Sequence, residues 1–190
     1  MSIIIWKLNF DNDKEVFELS QKLSCHSKFV RSLLKISNTI FISCSEDNSI
    51  IQWKYYNGAF NILNSIKTHH SDSINYSMSL TEGFFCTASN DSNINIWKIN
   101  GEKIEFYQTL KSHKNSVNIL LNISAMKFLS IGADKDVKVW IEKNGDLINI
   151  NTIEFKTDIY CILKLTDSQF LIGCSNNSVL QFGFEEECKK

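Results

Sequence analysis

The 190-residue sequence has almost no net charge and very little arginine. It carries 20 basic and 21 acidic residues, and Arg31 is the only arginine. A protein that binds a nucleic-acid backbone needs a basic surface to neutralise phosphates, and arginine is the side chain best suited to holding a phosphate through two hydrogen bonds. The composition therefore argues against nucleic acid as a direct partner.

The six cysteines lack the spacing of a zinc site or a disulfide framework. No C-x-x-C pair occurs, and most of the cysteines lie in apolar segments, where a thiol behaves as a small hydrophobic side chain. We therefore expect neither disulfides nor a bound metal, and no cofactor is predicted.

No apolar stretch approaches the length of a transmembrane helix. The longest runs, such as residues 3–6, are far shorter than the roughly 20 residues that cross a bilayer. A charged start followed by a long apolar run, typical of a secretion signal, is also missing. We therefore expect no membrane insertion and a soluble protein of the cytoplasm, with the nucleus left open.

A repeat of about 43 residues organises the sequence. Tryptophans occur at positions 6, 53, 97 and 140, at intervals of 47, 44 and 43 residues, and Phe182 follows 42 residues later. Each of the last three tryptophans has a histidine 27 residues before it and an aspartate six residues before it. These sets are His26, Asp47 and Trp53; His70, Asp91 and Trp97; and His113, Asp134 and Trp140. Polar residues therefore recur with the same period as the tryptophans, and this predicts a repeated structural unit.

The segments between the polar turns have the composition of β-strands. In the first unit, residues 39–45 are rich in aromatic, β-branched and small residues, and residues 49–53 alternate up to the tryptophan. No segment sustains the spacing of an amphipathic helix. With four strands per unit and one leading strand, the pattern predicts 17 strands. The predicted units are residues 15–54, 60–98, 104–141 and 147–184, after residues 1–10.

Four short strands in a repeat of this length resemble one blade of a β-propeller, and essentially the whole chain resembles the WD40-repeat family. The resemblance implies an all-β fold with four antiparallel strands per blade. It also implies a structural tetrad in each blade: a histidine before the inner strand, a hydroxyl on the second strand, an aspartate in the next turn and a tryptophan on the third strand. By position, two tetrads are complete: His26, Ser45, Asp47 and Trp53; and His70, Ser89, Asp91 and Trp97.

The third and fourth units depart from this pattern. The third keeps His113, Asp134 and Trp140 but has Gly132 where the hydroxyl is expected, so we predict that its chain of hydrogen bonds is broken. The fourth replaces the polar set with mostly apolar residues. Its corresponding residues are Phe155, Cys174, Asn176 and Phe182.

The side chains of the first tetrad include the ingredients of a nucleophilic triad, because Ser45, His26 and Asp47 supply a hydroxyl, an imidazole and a carboxylate. An enzyme needs one such site, whereas this set recurs. The family resemblance implies instead a buried chain of hydrogen bonds that ends on the indole nitrogen. We therefore predict a structural role and no enzyme, with a hydrolase as an alternative. The three histidines fall in different blades, too far apart to share a metal ion.

The WD40 resemblance implies a non-enzymatic scaffold that binds other proteins or peptides within a multiprotein complex. Partners are expected on the face that carries the histidine loops and aspartate turns. The candidate residues are Lys28, Phe29, Arg31, Asp72, Ser73, Lys114, Asn115, Lys156 and Asp158. Phe29 stands out because an aromatic residue in a polar loop can anchor a partner; inward packing is the equal alternative. A small-molecule ligand is not expected.

The position of Trp6 indicates an incomplete ring. It comes too early to have its own histidine and aspartate, so residues 1–10 are interpreted as the end of a preceding blade. A seven-bladed propeller needs about 300 residues at this repeat length. We therefore expect residues 1–190 to form one partial propeller domain, with a closed four-bladed ring and a truncated gene product without independent function as alternatives. An open arrangement would leave an edge strand and an apolar face uncovered.

Overall fold

The computed structural model describes residues 1–11 and 14–183, so Cys188 and the last residue of the fourth predicted unit lie outside it. In this part of the chain the structure consists of β-strands joined by turns and loops, and every strand pairs with an antiparallel neighbour in sequence. The prediction of an all-β chain with 17 strands is confirmed.

The chain forms two compact units, Met1–Ile74 and Asn75–Lys190. The first contains two sheets, β1–β2 and β3–β4–β5–β6. Their strands are β1 (Ile3–Asp11), β2 (Lys14–Leu23), β3 (Val30–Lys35), β4 (Ile40–Ser45), β5 (Ser49–Tyr56) and β6 (Ala59–Lys67).

The second unit contains three sheets, β7–β8–β9–β10, β11–β12–β13–β14 and β15–β16–β17. Their strands are β7 (Ile74–Thr81), β8 (Phe84–Ser89), β9 (Asn93–Asn100), β10 (Lys103–Lys111), β11 (Val117–Ser124), β12 (Lys127–Gly132), β13 (Asp136–Lys143), β14 (Asp146–Glu154), β15 (Ile159–Lys164), β16 (Gln169–Cys174) and β17 (Val179–Gly183).

Within a sheet, burial follows the position of the strand. The second strands β4, β8 and β12 are buried on both faces, which explains their lack of polar alternation. The last strands β6, β10 and β14 are largely exposed, and so is β2. Small and β-branched residues in the second strands allow side chains to pack on both sides of the sheet.

A phenylalanine on the second strand stacks against each core tryptophan. Phe41 lies 6.0 Å from Trp53 between ring centroids, with planes 12° apart. The pairs Phe85–Trp97 and Phe128–Trp140 have centroid distances of 6.0 and 6.1 Å. In every case the two residues are direct cross-strand partners. The repeat therefore places the same aromatic pair in the core of three sheets.

Two kinds of turn join the strands. After the second strand, the residue that follows the turn aspartate has positive φ, as at Asn48 (64°), Ser92 (69°) and Lys135 (69°). Between the third and fourth strands, Asn57-Gly58 and Asn144-Gly145 both have positive φ. That conformation is typical of tight two-residue hairpins, for which Asn-Gly is the preferred sequence. These turns fix the register of the outer strands.

Candidate functional site

The first unit contains a continuous chain of hydrogen bonds, which we call the first relay: Asp47, His26, Ser43 and Trp53. His26 Nδ1 lies 3.0 Å from Asp47 Oδ2, and His26 Nε2 lies 2.8 Å from Ser43 Oγ. Trp53 Nε1 donates to the same hydroxyl at 2.9 Å. If the Ser43 hydroxyl donates to Nε2 and Nδ1 carries the imidazole proton, a neutral His26 satisfies every group in the relay.

The bridging hydroxyl is Ser43, two residues before the predicted Ser45, so the assignment of Ser45 to this role is wrong. Both side chains lie on the same face of β4, because side chains alternate along a strand. Ser43 reaches the indole diagonally across the strand pair. Ser45 lies at the end of the strand, where its Oγ accepts the amide hydrogen of Asp47 at 3.2 Å and stabilises the turn.

In the sheet β7–β8–β9–β10 the bridging hydroxyl also lies two residues before the predicted one. Trp97 Nε1 donates to Thr87 Oγ1 at 2.9 Å, whereas the predicted Ser89 accepts from the amide of Asp91 at 3.1 Å. Thr87 is therefore the hydroxyl that sequence reasoning missed. His70, the histidine of the second repeat, lies in the compact unit Met1–Ile74 and is buried.

The third relay is complete, and the prediction that it is broken at Gly132 is wrong. Ser130 Oγ lies 2.8 Å from both His113 Nε2 and Trp140 Nε1. His113 Nδ1 lies 2.8 Å from Asp134 Oδ1. The hydroxyl was available ten residues before the tryptophan, the same spacing as Ser43 and Thr87, and that common spacing is the signal that could have identified it.

In the fourth repeat, Phe155, Cys174 and Phe182 are apolar, as predicted, and Asn176 stands at the position of the aspartate. Ile172 takes the place of the bridging hydroxyl and is fully buried, and Cys174 is also buried. Phe182 packs on Phe170 at 5.2 Å and on Phe155 at 6.2 Å between ring centroids. Aromatic packing replaces the relay in this sheet.

The relays hold their carboxylates ionised. Burial opposes ionisation of Asp47, but hydrogen bonds from Ser49 and Ser27 and the nearby His26 outweigh it, so the pKa of Asp47 is below its ordinary value. Burial likewise opposes ionisation of Asp134, and the Lys114 amide and His113 reverse the effect and lower its pKa.

Burial acts in the opposite sense on the third histidine. It lowers the pKa of His113, because removing the ring from water disfavours the charged form, and the hydrogen bond and charge of Asp134 only partly oppose this. The neutral ring with its proton on Nδ1 matches the hydrogen bonds of the relay. Asp47 and Asp134 are therefore ionised and His113 is neutral near pH 7, and these are the states that the hydrogen bonds of the relays require.

Phe29 and Arg31 form an exposed pair beside the first relay. The Phe29 side chain is 56% exposed, and the Arg31 guanidinium lies 5.9 Å from its ring centroid. Arg31 Nε donates to Glu46 Oε1 at 2.6 Å, and Nη2 also pairs with that oxygen. The Glu46 amide donates to the Phe29 carbonyl at 3.0 Å. Phe29 thus points outward, which removes the alternative of inward packing.

Other predicted loop residues of the first unit lie around Glu46 or remain in solvent. Ser73 Oγ donates to the Glu46 carbonyl at 3.3 Å, and the Ser73 amide donates to Asp72 at 2.6 Å. Lys28 is exposed next to Phe29. The first unit therefore brings Phe29, Arg31 and Ser73 together through one glutamate.

The predicted loop residues of the compact unit Asn75–Lys190 are exposed, and three of them form hydrogen bonds within their own loops and turns. The Lys114 amide donates to Asp134 at 2.8 Å, and the Asn115 side chain accepts from the Ser116 amide at 2.7 Å. The Asp158 amide donates to Ser175 at 3.2 Å, and Lys156 lies in solvent.

Residues 1–11 and 14–183 contain no group of three or more histidine, cysteine, aspartate and glutamate side chains placed to hold a metal ion. The same residues contain no helix with the length and apolar character needed to span a membrane.

Comparison with known sequences identifies the repeat. The family model "WD domain, G-beta repeat" matches residues 17–54. The chain is 34% identical over 82 residues to the human peptidylprolyl isomerase domain and WD repeat-containing protein 1, a match that covers 43% of this chain and 13% of that protein. A bromodomain and WD repeat-containing protein of Dictyostelium discoideum is 26% identical over 125 residues, which are 60% of this chain and 6% of its own length. The isomerase and bromodomain named there belong to those longer proteins.

Comparison of folds gives the same result. The WD40 β-propeller domain of Doa1 superimposes with a TM-score of 0.73 at 20% identity, covering 97% of this chain and 61% of that one. The computationally designed protein Ika4 superimposes with a TM-score of 0.69 at 18% identity, covering 85% and 95%. Together with the repeated tryptophan strands and hydroxyl relays, these matches show that residues 17–54 contain a WD40 repeat and that the chain has the all-β fold of WD40 β-propeller blades.

Proposed function

We propose that this chain is a non-catalytic protein-binding scaffold of the cytoplasm that acts within a multiprotein complex and holds a partner polypeptide on the exposed Phe29–Arg31 pair. WD40 propellers usually bind other proteins. The single observation that supports this site is the outward-facing phenylalanine with an arginine held over its ring.

The relays support binding over hydrolysis. Ser43 and Ser45 are both fully buried, so neither hydroxyl is open to a substrate. Ser43 already bridges His26 and Trp53, and Ser45 already caps its turn. A nucleophile must reach its substrate with its base in contact. The hydroxyls of Ser43 and Ser45 instead form hydrogen bonds that connect the strands and stabilise the turn.

The Phe29–Arg31 pair has the properties of an interface anchor. Aromatic and arginine side chains are enriched among the residues that dominate binding energy. Glu46 fixes the Arg31 side chain through Nε and Nη2, so that little conformational freedom remains to be lost when a partner binds. A partner that covers Phe29 would also remove the guanidinium–ring contact from water, which strengthens it.

Affinity purification tests this proposal. The tagged chain is recovered from cells of its native source, and the proteins that copurify are quantified for the unmutated chain, for Phe29→Ala and for Tyr56→Ala. Tyr56 is the matched control, because it is a comparably exposed aromatic residue, at 64%, at the end of β5. We expect Phe29→Ala to reduce recovery of at least one partner tenfold or more, since loss of a central anchor costs about 2 kcal/mol or more. Equal recovery from all three chains would contradict the proposed site.

A further inference from the structure

The outer strand β14 has an uncharged centre and an acidic residue at each end. It begins at Asp146 and ends at Glu154, and no charged residue lies between them. In this centre Ile148 is 37% exposed and Ile150 is 51% exposed. Strands at the edge of a sheet normally carry charged side chains along their length, because an uncharged edge pairs readily with another chain. The centre of β14 lacks this protection.

β14 is the edge strand of its sheet in the described part of the chain. The sheet has the order β11–β12–β13–β14, and the neighbouring strands in sequence, β13 and β15, lie in described sheets. The edge therefore arises within the repeat. Its start is already used, because the Leu147 carbonyl and amide form hydrogen bonds with the Gln108 side chain. Residues 148–154 form the rest of the edge, where backbone groups can pair with an added strand.

The outer strand β10 has a basic residue at each end. It begins at Lys103 and ends at Lys111, both exposed, and it has nine residues, as β14 has. Glu105 is the one other charged residue of the strand, and its Oε1 lies 2.6 Å from Lys103 Nζ. Among the described strands β10 is also an edge, because its sheet has the order β10–β9–β8–β7. The two edges therefore carry opposite charges at their ends.

An antiparallel pair of β14 and β10 places opposite charges together at both ends. When Glu154 lies opposite Lys103, the equal lengths of the strands bring Asp146 opposite Lys111. Pairing of β14 with a second β14 would instead place acidic residues together, and pairing of two β10 strands would place lysines together. Like charges across a strand pair are destabilising, whereas opposite charges stabilise it. Charge therefore favours the mixed pair.

The backbone irregularities of the two strands also match. In β10 the register with β9 shifts at Tyr107, and in β14 the register with β13 shifts at Ile150. Each is the central residue of its strand, so the two lie opposite each other when the ends are aligned. A bulge bends its strand. Two strands that bend at the same point can stay paired on both sides of it.

We propose that β14 of one copy of this chain pairs antiparallel with β10 of a second copy. Within one chain the two strands belong to different sheets, so this pairing needs two molecules. Because the two paired surfaces differ, a pair of copies keeps one free β10 edge and one free β14 edge, and assembly grows with concentration or closes into a ring. The other outer strands fit less well, since β2 carries charges along its length and β6 has no acidic residue.

Sedimentation velocity of the chain over a range of concentrations tests this pairing. One variant combines Lys103→Glu with Lys111→Glu, and a second combines Asp146→Lys with Glu154→Lys. We expect the unmutated chain to associate and each variant to associate about tenfold more weakly or less, because like charges then meet at both ends. An equimolar mixture of the two variants should regain association, because each edge then finds a partner edge of opposite charge.

The control combines Lys22→Glu with Lys35→Glu, which makes the same change of charge at exposed positions of β2 and β3. It should associate like the unmutated chain. The proposal is overturned if the unmutated chain is a monomer at every concentration, or if either edge variant associates as strongly as the unmutated chain. It is also overturned if the control dissociates equally or if the mixture stays dissociated. Because Phe29 and Arg31 are unchanged in every variant, failure here leaves the proposed function to its own test.

Discussion

Gly132 and His113 approach so closely that a β-carbon on Gly132 would lie 2.5 Å from His113 Nδ1. The same atom would lie 2.3 Å from Asp134 Oδ1. The residue that looked like a gap in the third relay is therefore the one that allows its histidine and aspartate to pack against the strand. The hydrogen bond between them, at 2.8 Å, depends on that space.

Replacing Gly132 with alanine should destabilise the protein. The added methyl group must displace His113 or Asp134, and such overpacking costs about 1–3 kcal/mol. Gly83→Ala is the matched control, because no atom lies within 4 Å of a β-carbon built there. Urea unfolding measures both variants. If Gly132→Ala were no less stable than Gly83→Ala, the close packing would not matter.

The two serines of β4 should differ in their contribution to stability. Ser43→Ala leaves the indole hydrogen of Trp53 and Nε2 of His26 without their shared partner in a buried site, which costs about 1–3 kcal/mol for each unpaired group. Ser45→Ala removes one turn hydrogen bond and should cost about 1 kcal/mol. Denaturant midpoints of the two variants give the order. A larger loss for Ser45→Ala would contradict the corrected assignment.

The sequence predicted the strands well because their signals are local. Turn residues and β-branched runs are visible within a few residues, the tryptophan spacing sets the period of the repeat, and the 17 strands followed from them. The bridging hydroxyl depends on a diagonal contact between strands. Ser43 and Ser45 share a face, so alternation along β4 could not separate them.

Exposure was harder to predict than strand formation. The alternation of Trp6, Leu8 and Phe10 fits a half-buried strand, but the described sheet contains nothing that covers these side chains. For Phe29, the sequence left inward and outward orientations open, because the choice depends on Arg31 and on Glu46, 17 residues later in the chain.

Stability should fall on acidification in two stages. The pKa of His113 is lowered in the folded protein, so the unfolded chain binds more protons as the pH falls below about 6.5, and stability decreases there. The pKa values of Asp47 and Asp134 are also lowered, so their contribution is present near neutral pH and is lost as the pH falls from about 5.

Denaturant midpoints between pH 7 and pH 3 test this dependence. Asp134→Asn should be less stable than the unmutated chain at pH 7 but should lose less stability between pH 5 and pH 3, because one titrating carboxylate is gone. Parallel profiles for the two chains would show that Asp134 does not contribute in the way its hydrogen bonds indicate.

Gln108 connects the outer strands β10 and β14 in the compact unit Asn75–Lys190. Gln108 Nε2 donates to the Leu147 carbonyl at 3.3 Å, and the Leu147 amide donates to Gln108 Oε1 at 3.1 Å. Gln108→Ala should reduce the free energy of unfolding by about 1–2 kcal/mol, because two backbone groups lose their partner. Gln181→Ala, at an exposed position of β17, is the control and should change it by less than about 0.5 kcal/mol. Equal effects would indicate that the outer strands hold together without the glutamine.

Photocrosslinking tests most directly whether the Phe29–Arg31 pair is a protein-binding site. A photoreactive phenylalanine analogue replaces Phe29 in one chain and Tyr56 in another, and both are irradiated in extracts of native cells. We predict a defined covalent adduct between a cellular protein and the chain substituted at Phe29, with no adduct of that protein at position 56. Adducts of the same protein from both positions, or from position 56 alone, would contradict a binding site at Phe29.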